Sequence, residues 1–199
     1  MILIAVPTYE RIFPQTFEAI WNMAHGREDV AFKAIYGYSA DHARNKIAKE
    51  ALEGGYSHVL MLDSDTVPPP DALDLLMEHG ADLALGFYRA NRRNGANVTA
   101  IFKPWKSYSR RYEPSELDEA VEKGVKSLPI KGGALGCALI DTSLFRKLQY
   151  PYFKWLEYPN GEHLGEDLYF CNSVSKVRAR MLADPRVRCD HIIQRRESL

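Results

Sequence analysis

The sequence predicts a single α/β domain, with a mostly parallel central sheet flanked by helices. Three observations predict it. Over the first 88 residues, short apolar runs alternate with amphipathic stretches, strand then helix. The runs at 2–6 and 58–62 are almost continuously apolar, as strands buried on both faces are. Polar clusters follow those runs at 7–10 and 63–66, at the strand ends where ligands of such sheets bind.

Each element has its own warrant. The run at 2–6 is the first strand, ended by Pro7-Thr8-Tyr9-Glu10. Pro14 opens a helix, where its missing N–H costs nothing, and Gly26 can cap the end. Phe17, Ile20, Trp21 and Ala24 are expected on its inner face. Residues 30–36 are β-branched and aromatic, a second strand. Ser39 is the expected N-cap of a helix over 41–52, stopped by Gly54-Gly55. Strand 58–62, helix 71–79 and strand 82–88 follow.

The second half is less regular. Residues 89–130 read as a basic, aromatic excursion or flap, with Leu117, Ala120, Val121 and Val125 as a weak helical stripe. After Gly132-Gly133 come a strand at 134–140, a short helix at 142–148 and an aromatic segment at 150–158. A helix begins near Glu166, with Leu168, Cys171, Val174 and Val177 on one face. Residues 187–193 form a final strand or extended segment. The expected division is a nucleotide-binding half over 1–90, the excursion over 89–130 and an acceptor or catalytic half over 131–199.

Composition limits function. With 26 basic and 26 acidic residues in 199, the formal charge is zero, which argues against a protein that coats nucleic acid or an anionic membrane. A chain this long buries about 70% of its unfolded surface, so no staples are needed. Cys137, Cys171 and Cys189 form no CxxC pair, which excludes zinc-ribbon and thioredoxin-type sites and suits reduced thiols. No apolar run reaches the ~18–20 residues of a membrane span, and the apolar start lacks a basic leader region. A cytoplasmic location is expected.

Three clusters carry chemistry. Asp63-Ser64-Asp65 sets two carboxylates at the tip of a buried strand, where oxygen ligands suit Mg²⁺ or Mn²⁺. Glu166 and Asp167 open a helix, where acids also offset the helix dipole. His191 joins them only if the fold returns it to the strand-end edge.

In this order the motifs resemble those of family 2-like glycosyltransferases with the GT-A fold. Pro7-Thr8-Tyr9-Glu10 resembles the first-strand motif. Ala43-Arg44-Asn45 followed by Asp63-Ser64-Asp65 looks like the passage to the DXD motif. Gly132-Gly133 resembles the acceptor-side Gly-Gly segment, and Gly165-Glu166-Asp167 the ED motif. The resemblance implies a single GT-A, Rossmann-like domain and a metal-dependent, inverting transferase using a UDP- or GDP-sugar and an acceptor hydroxyl. Asp65 would bind Mn²⁺ or Mg²⁺, Asp63 would face the ribose or share the metal, and His191 would be a further ligand. Pro7, Thr8, Tyr9, Glu10 and Ser64 would line the nucleotide pocket, with Arg44 near the nucleotide or diphosphate. Asp167 would be the general base, supported by Glu166. Gly132 and Gly133 would serve the acceptor, and Trp155 and Tyr158, just before the base, are acceptor candidates that could stack on sugar faces or simply pack. The loop after the second strand lacks the usual acidic stretch, which leaves Asp41 as the candidate contact to the donor base.

Two other classes compete. Asp63-Ser64-Asp65-Thr66 also matches the motif of haloacid-dehalogenase-like phosphatases, with Asp63 as nucleophile. That motif ordinarily ends the first strand, and here two strand–helix units precede it. A non-catalytic nucleotide-sugar-binding module is the other alternative, and the carboxylates at both candidate positions weigh against it.

Overall fold

The structure is a computed structural model and describes residues 1–91 and 97–192, without the side chains of 89–91 and 97. In chain order the elements are β1 (Ile2–Thr8), α1 (Pro14–Ala24), β2 (Val30–Tyr36), α2 (Ala40–Glu53), β3 (His58–Leu62), β4 (Thr66–Val67), α3 (Ala72–Met77) and β5 (Leu83–Asn91). Then come β6 (Asn97–Thr99), β7 (Ile101–Phe102), α4 (Pro114–Glu122), β8 (Leu128–Pro129), β9 (Gly132–Gly133), β10 (Cys137–Asp141) and α5 (Ser143–Lys147). The chain continues through β11 (Leu156–Glu157), β12 (His163–Leu164), α6 (Glu166–Lys176) and β13 (Met181–His191).

The main sheet runs β2-β1-β3-β10-β5-β13-β4, with β6 on β5 and β8 on β13. Strands β2, β1, β3, β5 and β13 point one way, and β10 runs antiparallel between β3 and β5. The ends of β1, β3, β5 and β13 therefore meet at one edge, and β10 begins there.

Period-2 alternation divides the core. Leu3, Ala5, Val59 and Met61 face a cluster with α2, α5 and α6. Ile2, Ile4, Val6, Leu60 and Leu62 face a second cluster with α1 and α3. This is why β1 and β3 read as continuous apolar runs. Among the described residues no helix is long and apolar enough to cross a membrane.

Several expectations are corrected. α1 buries Thr16, Ala19, Ile20 and Met23, whereas Phe17 and Trp21 lie half exposed against Phe32 and His25. Two stripes at helical spacing compete there, and the one with small Thr16 and Ala19 lets the helix approach the sheet closely. In α6 the core face is Phe170, Cys171 and Val174, and Val177 is exposed. Ser39 makes no side-chain cap bond; its hydroxyl donates to Asp41 Oδ1 at 2.6 Å. The expected strand at 134–140 begins only at Cys137, and β13 starts six residues before the expected 187. Pro185 hides β13 in the sequence, because the register shifts between Ala183 and Arg188 around it.

Within the excursion the helical stripe is narrower than expected. α4 buries Leu117 and Ala120 and carries a capping box from Glu113 and Glu116, with Val121 outside. Lys103 pairs with Glu116 at 2.6 Å, and Arg110 and Arg111 lie over the rings of Trp105 and Phe102. Their charges are met locally, and none lines the strand-end cleft. Arg92, Arg93 and the side chain of Arg89 fall outside what is described.

Candidate active site

An open cleft of about 350 Å³ lies at the strand-end edge. Pro7 and Thr8 line it from β1 and Tyr9 from just after it, Asp63, Ser64 and Asp65 from the turn after β3, and Glu166 and Asp167 from the start of α6. Arg44 lines it from α2, and Tyr38, Ser39 and Ala40 from the turn before α2.

Arg44 organises the carboxylates. It is 2% exposed, and its Nη2 donates to Asp63 Oδ1 at 2.8 Å. Its Nε lies 3.5 Å from Asp167 Oδ1 and 3.7 Å from Glu166 Oε1. Burial opposes its charge, but Asp63, Asp167 and Glu166 outweigh that and move its pKa up. One cation thus faces three carboxyl groups, an excess of negative charge suited to a cationic ligand.

Asp167 has the perturbation a base needs. Burial pushes its carboxyl up to about 6, Arg44 pulls it down, and Asp63 and Glu166 add to the rise. The Leu135 N–H donates to its Oδ2 at 3.2 Å, and Oδ1 is buried with no hydrogen-bond partner. A carboxylate poised near neutrality can accept a proton from a positioned hydroxyl.

The end of β13 brings His191 to the Asp63–Asp65 turn. His191 pairs with Thr66 in the β4 register, and the Ile192 N–H donates to Asp65 O at 2.8 Å. His191 Nε2 then lies 3.5 Å from Asp65 Oδ2, a contact that raises the histidine's pKa. Among the described residues no three His, Cys, Asp or Glu side chains stand together as a ready-made metal cluster. Asp63 Oδ1 is engaged by Arg44, which leaves Oδ2 as its donor beside Asp65 and His191 in the expected ligand set. Carboxylate oxygens and one imidazole fit Mn²⁺ or Mg²⁺ when phosphate oxygens and water complete the coordination.

The remaining expected residues divide. Glu10 lies on a neighbouring depression with Arg11 and Phe13. Asp41 is tied to Ser39 and does not line the cleft. Gly132 and Gly133 are packing glycines: an added Cβ would meet Cys171 Cβ at 2.6 Å and Ile101 Cδ1 at 2.7 Å. Trp155 rests against Gly165, beside the two acids of α6. Tyr158 lines a separate groove along that helix.

Sequence reasoning missed three residues. Tyr88 stacks on His191, with centroids 4.8 Å apart and planes 12° from parallel. Its place at the end of a predicted strand was the available signal. Gly136 lets Asp63 and Tyr88 close in, since a Cβ there would meet Asp63 Oδ2 at 2.8 Å and Tyr88 Cε1 at 2.9 Å. Asn45 fixes the aromatic segment: its Nδ2 donates to Phe153 O at 2.7 Å, and its Oδ1 accepts from the Tyr152 N–H at 2.9 Å.

No family model matches the chain, and no curated protein sequence does. Among solved structures it is similar to A197 from STIV, with a TM-score of 0.65, 16% identity, and 97% of this chain covering 86% of that one. It is also similar to GalNAc-T7 solved with UDP, GalNAc and Mn²⁺, with a TM-score of 0.60 and 12% identity. There 98% of this chain covers 43% of the other, so the chain spans less than half the length of GalNAc-T7. At these identities the likeness shows the fold, an α/β domain whose large, mostly parallel sheet and flanking helices are compatible with a GT-A-like fold.

Proposed function

We propose that the protein is a metal-dependent, inverting glycosyltransferase that moves a sugar from a UDP- or GDP-sugar to an acceptor hydroxyl. The observation that carries this reading is the shared cleft. Carboxylates from the end of β3 and the start of α6 face it, joined by the buried Arg44. The likeness to GalNAc-T7, whose structure contains UDP, GalNAc and Mn²⁺, supports the same reading at the level of fold.

In this reading Asp167 accepts the proton of the attacking hydroxyl. Arg44 orients Asp63 through their hydrogen bond, and Glu166 lies against Arg44 from the other side. Pro7, Thr8, Tyr9 and Ser64 bind the nucleotide end. Asp65 and His191 would hold Mn²⁺ or Mg²⁺, which when bound offsets charge on the departing diphosphate. A base on one side of the sugar and a held leaving group on the other suit in-line displacement with inversion.

The test is nucleotide release from UDP- and GDP-sugars with and without Mn²⁺. Metal-dependent release by the wild type and its collapse in Asp167→Asn are expected. Phosphate release from simple phosphomonoesters, without any nucleotide sugar, would overturn the reading.

A further inference from the structure

The groove along α6 is not part of the cleft. It measures about 390 Å³, and its lining includes Tyr169, Asn172, Ser173 and Lys176, with Ser175 beside them, under Leu156, Tyr158 and Leu164. The first four are spaced i, i+3, i+4 and i+7, so they form one continuous stripe. Glu166, one turn before Tyr169, heads the same stripe in the cleft. Asp167 heads the neighbouring stripe, which runs through Phe170, Cys171 and Val174 into the core. The Trp155 ring, 57% exposed, rests against Gly165 where α6 begins.

We propose that this groove is an extended acceptor subsite and takes a carbohydrate chain of two or more sugar units. The word "acceptor" rests on the transferase reading; the carbohydrate site itself does not. From Asp167 to Lys176 the helix advances about 14 Å, more than one sugar ring. Sugars present an apolar C–H face and a rim of hydroxyls. Tyr158 and Tyr169 offer rings that also carry polar tips. The Tyr108 hydroxyl donates to Asn172 Oδ1 at 2.8 Å, which orients the amide and leaves its Nδ2 to donate to a ligand. Ser173 donates to Tyr169 O at 3.1 Å and can still accept. A nucleotide would meet one cation here, Lys176.

The experiment is calorimetric titration of the protein, without nucleotide or metal, with chitotriose, cellotriose, maltotriose and mannotriose and with their monosaccharides. At least one trisaccharide should bind, about tenfold or more tighter than its monosaccharide. Tyr158→Ala and Asn172→Ala should each weaken that binding about tenfold, and Tyr158→Phe should keep most of it. Thermal unfolding of each variant checks that the fold is intact. No binding by any trisaccharide at about 10 mM, or unchanged binding in both alanine variants, overturns the proposal. So does binding of an unglycosylated serine- and threonine-containing peptide in their place. Such a failure would leave metal-dependent nucleotide release intact, and failure of the transferase reading would leave this binding intact.

Discussion

Arg44 donates from Nη2 to Asp63 Oδ1 at 2.8 Å while its Nε lies 3.5 Å from Asp167 Oδ1. One buried guanidinium therefore joins the end of β3 to the start of α6. Removing it leaves Asp63, Glu166 and Asp167 facing one another without a counter-ion. Arg44→Met should destabilise the fold by about 3–5 kcal/mol, measured by urea unfolding. Arg44→Lys keeps the charge but not the fork, and should recover part of that loss.

Asp167 is expected to work as a base only when ionised. Burial holds its carboxyl up to about 6, so turnover should fall as the pH drops through that value and level off above it. Asp167→Asn should lower kcat by about 10²–10⁴-fold, read from nucleotide release, and should remove the acidic limb of the pH profile.

Gly136 is a position where a single methyl group should disturb the site. A Cβ would press on both Asp63 Oδ2 and Tyr88 Cε1. Gly136→Ala should cost about 1–3 kcal/mol in unfolding free energy and reduce turnover, because Arg44 holds the Asp63 carboxylate and His191 stacks on the Tyr88 ring.

Asp184 supplies a pH-dependent stability far from this chemistry. Its side chain is fully buried, 2.8 Å from His79 Nε2 and 2.6 Å from Arg186 Nη2. Burial opposes its charge, but Arg186 and His79 outweigh that and lower its pKa. With the folded value below the unfolded one, its contribution is complete above the ordinary carboxyl range near pH ~4. It is lost as the pH falls through the lower folded value. Acid unfolding of Asp184→Asn, followed by circular dichroism, should show a flatter dependence on pH than the wild type.

Much of this architecture was legible because its physics is local. β1 and β3 announce themselves as apolar runs, since both faces of each are covered. Asp63, Asp65 and Asp167 stand at element ends that any α/β reading directs to one edge. What was not legible depends on tertiary return. Arg44 was expected near the diphosphate, but its burial between Asp63 and Asp167 exists only because α6 comes back to cover it. His191 reaches Asp65 only because β13 pairs in parallel with β5, with Cys189 opposite Tyr88. The inner face of α1 was ambiguous because two stripes had helical spacing, and packing selected the smaller one. Gly136 carries no sequence pattern, because its role is the space it leaves for Asp63.

In the proposed reading a divalent cation at Asp65 and His191 completes the donor site. Calorimetric titration with UDP and GDP, with and without Mn²⁺, reads out that site. At least one nucleotide should bind in a Mn²⁺-dependent way, weakened by about tenfold or more in His191→Ala and abolished in Asp65→Ala while both variants unfold cooperatively. Absence of binding by either nucleotide, or binding indifferent to Mn²⁺ and to both substitutions, would contradict this reading.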